Sequence, residues 1–212
     1  MRKFLKGLAW VVGTLAVLAI VARLTFIRVW TVPDDRALSA SLAPSLASGD
    51  IVLVLYRGER SIGDLVRCPD PEDAQRWVVG RIVGQQGDKV EVQNGMLVLN
   101  GKRYDVSEAC SEQRLTVPHP TDGHPVEHVC TRVELGGGWH AEARAGTASP
   151  EPPREHTVGP GRVYLLSDNR TYHDDSRDFG AIPADSCKEQ IVFRLWGKDG
   201  FFADKHRFAA IH

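Results

Sequence analysis

The sequence predicts a mostly β domain preceded by one membrane-spanning helix. Five stretches rich in Val, Ile and Leu are bounded by Gly, Asp or Pro, as strands are: residues 50–56, 77–83, 89–104, 162–167 and 189–196. The third stretch contains two Asn-Gly dipeptides, which favour the tight turns of β-hairpins. After residue 30 no helical periodicity continues for more than about ten residues, so we expect few helices in the body.

Residues 1–30 predict the membrane-spanning helix. The run GLAWVVGTLAVLAIVA (residues 7–22) carries no charge and follows three basic residues. With its weakly polar flank this segment reaches roughly 20 residues, the length of a spanning helix. Because the more positive flank comes first, we expect a cytoplasmic N-terminus and an exported domain at residues 31–212. A cleaved signal peptide is the alternative, although no clean Ala-x-Ala site follows the run.

The charge of the chain limits the possible partners of this domain. The 212 residues include 26 basic and 27 acidic side chains, a formal net charge of −1 without long blocks of one sign. This balance argues against a nucleic acid as the main partner. No pattern of residues indicates a cofactor or a metal, so we expect neither.

Four cysteines lie in the body, at spacings that match no zinc-binding pattern. Cysteines of an exported domain are usually disulfide-bonded. Cys110 and Cys130 flank one polar stretch, so we expect them to pair, and Cys68 and Cys187 remain as a second pair or as free thiols. The first two belong to residues 107–160, a segment rich in His, Gly and Pro that we expect to be a loop-rich excursion from the β core.

The stretch SASLAPSLASGDIVLV (residues 39–54) combines closely spaced serines, a Gly-Asp turn and a run of strand formers. It resembles the nucleophile segment of bacterial type I signal peptidases, serine peptidases of family S26. In that family Ser-x-Ser-Met-x-Pro-Thr-Leu is followed, two residues later, by Gly-Asp and a strand. Leu42 and Ser45 stand at the positions of the Met and the Thr, and the residues that agree in register are Ser39, Ser41, Pro44, Leu46, Gly49 and Asp50.

Two later segments resemble the remaining motifs of this family, in the same order. VVGRIVGQQGDKVEV (residues 78–92) is similar to Lys-Arg-x-x-Gly-x-Pro-Gly-Asp-x-Val. LLSDNRTYHDDSRDFGAIP (residues 165–183) is similar to Gly-Asp-Asn-Arg-x-x-Ser-x-Asp-Ser-Arg-x-x-Gly. The resemblance covers most of the chain outside residues 107–160, and it implies the coiled β-sheet fold shared by signal peptidases and LexA-like proteins.

The same resemblance implies an activity and its residues. It implies a serine endopeptidase in the inner membrane, with its catalytic domain on the periplasmic side, that binds exported preproteins as extended peptides and removes their signal peptides. Ser41 would be the nucleophile, and the Ser39 hydroxyl with the Ser41 backbone N–H would form the oxyanion hole. Asp175 and Arg177 would form an ion pair that supports the site. The implied partners are preproteins and the lipid bilayer.

One position departs from the family pattern. Gly80 replaces the lysine that acts as general base, and the neighbouring Arg81 cannot take over because a guanidinium stays protonated. His173 stands where the family has a serine that contacts this lysine, so it is a candidate base, with Asp174 or Asp175 to orient its ring. The alternative for His173 is an ordinary loop histidine among charged residues. For the protein as a whole, the alternatives are an active peptidase and a pseudo-peptidase that keeps the cleft as a binding or assembly factor.

Overall fold

The computed structural model describes residues 2–146, 152–203 and 207–211. Its helices are α1 (Arg2–Thr25), α2 (Arg36–Leu42), α3 (Ser176–Phe179) and a short 3-10 turn (Ala184–Ser186). Its strands are β1 (Ile27–Thr31), β2 (Ile51–Leu55), β3 (Leu65–Pro69), β4 (Trp77–Gln85), β5 (Lys89–Gln93), β6 (Met96–Leu99), β7 (Lys102–Tyr104), β8 (Val106–Pro118), β9 (Pro125–Leu135), β10 (Gly138–Ala145), β11 (Arg154–Thr157), β12 (Arg162–Leu166), β13 (Ile182–Pro183), β14 (Glu189–Trp196) and β15 (Ala209–Ala210). The mostly β prediction is confirmed.

An eight-stranded sheet forms the centre of the molecule, in the order β1-β2-β14-β3-β4-β12-β13 with β15 paired to β14. Successive residues of a strand face opposite sides of a sheet, and β4 is covered on both sides. Val79 of β4 packs in one apolar cluster with Leu38 and Leu42 of α2. Val78 and Ile82 pack in a second cluster with strand β12. Burial on both faces explains why β4 is apolar without alternation.

The segment expected to be loop-rich contains three long strands instead. Strands β8, β9 and β10 form an antiparallel sheet in the order β10-β9-β8. Strand β8 is mostly exposed, and only Val117 among its residues is buried. A strand that buries so little of its surface needs few apolar residues, so it lacks the alternation that would have predicted it. Polar composition concealed these strands from sequence analysis.

Both cysteine pairs are disulfide-bonded. Cys110 and Cys130 join β8 to β9 with a Cα–Cα distance of 5.5 Å, which confirms the first expected pair. Cys68 and Cys187 are joined with a Cα–Cα distance of 4.6 Å, which settles the second pair as a disulfide. The second bond ties β3 to the segment just before β14, two neighbours in the central sheet.

The N-terminal helix α1 is 24 residues long. Within the described part of the chain, no helix combines the length and the apolar character that a membrane crossing requires. The predicted membrane anchor therefore stays a prediction from the sequence.

Candidate active site

Ser41 lies in the last turn of helix α2. The helix begins at an Asp35 cap whose carboxylate accepts a hydrogen bond from the Leu38 N–H, 3.0 Å away. Ser41 is 1% exposed, and its Oγ donates a hydrogen bond of 2.9 Å to the Leu38 carbonyl oxygen. In the described residues this carbonyl, and not a titratable side chain, is the acceptor of the Ser41 hydroxyl. Attack by Ser41 therefore requires rotation of the hydroxyl toward a base.

The third motif is attached directly to this helix. The Asn169 backbone N–H donates to the Ser41 carbonyl oxygen at 3.0 Å. The Asn169 side-chain amide donates to the Ala40 carbonyl oxygen at 2.9 Å. These two bonds satisfy carbonyls near the C-terminal end of α2, which lack partners within so short a helix. They also fix the position of Ser41 relative to a loop that is 128 residues later in the chain.

A buried ion pair joins all three motifs. The Arg81 guanidinium of β4 holds both Asp168 oxygens, with its Nε 2.7 Å from Oδ1 and its Nη2 3.1 Å from Oδ2. The Ser45 hydroxyl of the nucleophile segment donates to the same carboxylate. Both charged side chains are almost completely buried: that of Arg81 is 2% exposed and that of Asp168 is 1% exposed. Arg81 and Asp168 stand at motif positions in the sequence, but their contact with each other is apparent only in the structure.

Ser39, the predicted oxyanion residue, is half-buried near the N-terminal side of Ser41. Its Oγ accepts a hydrogen bond of 3.1 Å from the Ser48 backbone N–H. Because the hydroxyl is the acceptor in this bond, its proton remains available for donation. The bond also explains why the loop after α2 returns toward the helix before strand β2 begins.

Gly80 lies on β4, closely packed against strand β12. A Cβ added to Gly80 would lie 3.1 Å from the Leu166 carbonyl oxygen and 3.2 Å from the Leu165 Cβ. Contacts this short require the neighbouring strand to shift by a few tenths of an ångström. A side chain at this position, lysine included, would therefore be tightly packed against β12 at its Cβ.

His173 is the proposed replacement for the missing base, and its ring is paired with an acid that sequence analysis did not consider. Its Nδ1 lies 2.8 Å from the Asp178 Oδ2, and its side chain is 18% exposed. Burial lowers the pKa of His173, but the hydrogen bond to Asp178 and the charges of Asp175 and Asp178 outweigh it. The pKa of His173 therefore lies above its ordinary value.

Asp175 and Arg177 form a two-point ion pair at the start of α3. The Arg177 Nε and Nη2 lie 2.9 Å and 2.7 Å from the two Asp175 oxygens, and Asp175 is fully buried. Burial alone would raise the pKa of Asp175. The neighbouring Arg177 and a hydrogen bond from the Ser167 N–H reverse that effect and hold the pKa below its usual range. Asp175 therefore caps the helix as a carboxylate.

A second buried ionic cluster lies next to the third motif. Glu142 of β10 accepts from the Arg170 Nε at 2.7 Å and also pairs with Arg144. Backbone bonds from Ala143 N–H to the Asp168 carbonyl and from Arg170 N–H to the Ala143 carbonyl tie β10 to the same loop. The segment 107–160, through its strand β10, thus packs directly against the candidate site. Glu142 carried no motif signal in the sequence.

The sequence profile described as "Signal peptidase, peptidase S26" matches residues 6–196. The chain belongs to this family. Signal peptidase IB of Staphylococcus aureus (strain Mu50) is 28% identical over 130 residues, which are 61% of this chain and 57% of the relative. Signal peptidase I of Streptococcus pneumoniae serotype 4 is 25% identical over 185 residues, 84% of this chain and 89% of the relative. The chain thus spans little more than half the length of the Staphylococcus signal peptidase.

Membership in the signal peptidase family agrees with the resemblance carried by the three motifs. It agrees as well with the mostly β structure, in which those motifs meet around one buried network. This chain has Gly80 at the position of the family's lysine, and the roles of Ser41, Ser39 and His173 stay predictions from the sequence.

Proposed function

We propose that this protein is a membrane-anchored serine endopeptidase of the signal peptidase I type, which removes signal peptides from exported preproteins, with Ser41 as nucleophile. The observation that carries this proposal is the convergence of the three motifs. Asn169 binds the backbone of α2 next to Ser41, and Asp168 binds both Ser45 and Arg81. A buried, fully paired frame of this kind holds a reacting side chain in one position.

The proposed substrate is an extended peptide that adds to the sheet. Strand β1 lies at the edge of the central sheet, and α2 begins five residues after β1 ends. An extended chain that pairs with a sheet edge gains backbone hydrogen bonds whatever its side chains are. A preprotein bound along β1 would thus lie close to the segment that carries Ser41.

The proposed reaction uses Ser39 and His173 together with Ser41. The Ser39 hydroxyl and the Ser41 N–H donate to the oxyanion that forms when the Ser41 Oγ attacks the peptide carbonyl. His173 takes the proton of the Ser41 hydroxyl, which first turns away from the Leu38 carbonyl. Since Asp178 raises the pKa of His173, the neutral ring that can accept a proton is favoured at higher pH. Asp175 and Arg177 hold the loop that carries His173.

The proposed anchor is α1, inserted from the cytoplasmic side of the inner membrane. Large apolar side chains of α1 are strongly exposed in the isolated chain, among them Trp10 at 79% and Leu15 at 60%. Contiguous exposed apolar surface of this kind favours contact with lipid or with another protein. Lipid contact would also place the site at the membrane surface where signal peptides end.

A second function, that of a pseudo-peptidase acting as a binding or assembly factor, is favoured by Gly80. Strand β12 occupies the space beside Gly80, and the Ser41 hydroxyl is bonded to a backbone carbonyl. A protein of this kind would still bind extended exported chains in the cleft. It would release them uncut.

The test is cleavage of a preprotein with a small-residue signal-peptide cleavage site by the full chain in detergent micelles. We expect cleavage by the wild type and by Ser48→Ala, whose hydroxyl bonds the exposed Asp34. We expect Ser41→Ala to lose about six orders of magnitude in kcat, as removal of a serine nucleophile does. His173→Ala should lose nearly as much, because the two residues act as a unit.

Three outcomes would change the proposal. If His173→Ala cleaves like the wild type while Ser41→Ala does not, His173 is not the base. If wild type and Ser41→Ala bind the preprotein equally and neither cuts it, the pseudo-peptidase function is correct. If Ser41→Ala cuts as fast as wild type, the nucleophile has been misassigned.

A further inference from the structure

The turn between β8 and β9 brings together two histidines and an aspartate outside the candidate active site. The His124 Nδ1 lies 2.6 Å from the Asp122 Oδ1, and the His119 Nδ1 lies 3.4 Å from the same oxygen. One ligand atom from each of the three residues lies within 4.8 Å of the others. Imidazole nitrogen and carboxylate oxygen are the ligands that Zn²⁺ and related ions prefer.

The two imidazole rings are held side by side. Their centroids lie 4.8 Å apart, and their planes differ by 16°. The Thr121 N–H lies 3.3 Å from the His119 Nδ1, which accepts this bond and therefore carries a lone pair there. Both rings thus direct the Nδ1 edge toward one carboxylate oxygen. An ion bound there would replace the proton shared by His124 and Asp122 and the Thr121 N–H that His119 accepts.

The turn itself is fixed by its backbone. The His119 N–H donates to the His124 carbonyl at 2.8 Å, and the Gly123 N–H donates to the His119 carbonyl at 2.9 Å. Gly123 has φ +79°, a conformation that favours glycine. The His119 ring also contacts the Tyr172 ring edge-on at 5.2 Å. The three ligands are therefore presented by a closed turn that packs against the third motif.

We propose that this turn, residues 119–124, is a binding site for a divalent transition metal ion, with Zn²⁺ as the best match. Two ligands at about 2.1 Å from a tetrahedral ion lie about 3.4 Å apart. The His119–Asp122 distance already has this value, and the His124–Asp122 distance must open by less than about 1 Å. Three protein ligands leave a fourth position for water.

The turn carries one carboxylate, and one positively charged side chain lies next to it. A hydrogen bond from the His124 backbone N–H is the main cause that holds the pKa of Asp122 below its usual range, so the carboxylate is ionised. Arg36 donates to the Thr121 carbonyl at 3.3 Å and adds one nearby positive charge. Protons compete with the ion for the ring nitrogens, so affinity falls as the solution is acidified. The proposal does not depend on peptidase activity.

The test is Zn²⁺ binding by the full chain, purified without a histidine tag and followed by isothermal titration calorimetry. We expect one Zn²⁺ per chain and a higher midpoint of thermal unfolding when Zn²⁺ is present. His124→Ala and Asp122→Asn should weaken binding by at least about 10-fold, because loss of a residue behind a ligand already costs that much. Asn keeps the oxygen that accepts the His124 N–H, so the turn remains folded.

The matched control is His156→Ala, which removes a histidine of β11 in another sheet. Its affinity for Zn²⁺ should equal that of the wild type. Co²⁺ bound to the wild type should give the intense visible absorption of a tetrahedral site, and Mg²⁺, which prefers oxygen ligands in an octahedron, should not bind. Equal Zn²⁺ affinity of wild type and His124→Ala, or an equal loss in His156→Ala, would refute the site.

Discussion

The nucleophile segment and strand β4 form two sides of the same candidate site, and they differ in what they retain. In the first, Ser39 and Ser41 stand at the motif positions, and Asn169 fixes the backbone of the helix that carries Ser41. In the second, Arg81 keeps its motif position and its buried partner, but the adjacent Gly80 has no side chain and is closely packed. The nucleophile segment keeps the serines of the motif, whereas β4 keeps the arginine of its motif but not the lysine.

This difference shows that the residues which hold the candidate site together are distinct from those which would react. The ion pair between Arg81 and Asp168 positions both sides relative to each other, and it needs no base to do so. The neighbouring Gly80 leaves this ion pair intact, because β12 packs closely against the glycine. If the protein cleaves peptides, its proton acceptor lies elsewhere than at residue 80, and His173 in the loop of the third motif is the proposed candidate.

The largest effect on the frame is expected from Asp168→Asn. This substitution leaves Arg81 buried without its counter-charge, and breaking a buried pair in this way costs about 3–5 kcal/mol. The free energy of unfolding, measured by urea denaturation, should fall by that amount. Glu155→Gln, which removes an exposed partner of Lys89, should cost less than about 1 kcal/mol. Similar small losses in both variants would mean that the ion pair does not hold the two sides together.

The second largest loss of stability is expected from Gly80→Ala. The added Cβ meets β12 at 3.1 Å, and overpacking of this kind costs about 1–3 kcal/mol. Gly138→Ala is the matched control, since a Cβ on that strand residue meets nothing within 4 Å. We expect urea denaturation to find a loss only for Gly80→Ala. Should Gly80→Ala be as stable as wild type, a Cβ at this position would be tolerated, and Gly80→Lys would then test whether a base restores activity.

His140 of β10 is expected to make the free energy of unfolding depend on pH, by about 1.4 kcal/mol per pH unit. Burial, followed by the charges of Arg81 and Arg170, holds the pKa of His140 well below 6.5. The folded chain therefore keeps His140 neutral, while the unfolded chain binds a proton below about pH 6.5. Stability is thus lost as the pH falls below that value.

Urea denaturation between about pH 5.5 and 7.5 measures this slope. His140→Gln should flatten it, and His156→Gln should leave it unchanged. An unaltered slope in His140→Gln would show that the pKa of His140 does not differ between the folded and the unfolded chain.

The smallest effect is expected from Asp178→Asn, and it bears on the proposed base. The Asp178 side chain is 45% exposed, and its bond and charge raise the pKa of His173. Removing the charge lowers that pKa, and the change is small because the carboxylate is partly screened by solvent. The rising limb of kcat/KM against pH should therefore move to lower pH. A limb that stays in place would exclude His173 as the group that must lose its proton.

The sequence indicates many residues of the candidate site but not the contacts between them. The order of three motifs indicated that Ser41, Arg81 and Asp168 belong to one region, because motif positions depend on local residue types. Nothing in the sequence indicated that Ser45 and Arg81 share the Asp168 carboxylate, since contacts between distant segments follow from the packing of the sheet. The partner of His173 was missed for a similar reason. Asp178 reaches the ring only because a helical turn brings it back.

By itself the sequence determined the β-rich body, the position of the serine pair and the absence of a side chain at Gly80, because these depend on residue type and local periodicity. Only the tertiary structure decided that strand β12 closes the space beside Gly80, that polar residues 106–145 form a sheet, and that Asp168 joins the two sides of the site. Each of these depends on which distant segments pack together. A sequence pattern records which residues are present, and packing decides which of them meet.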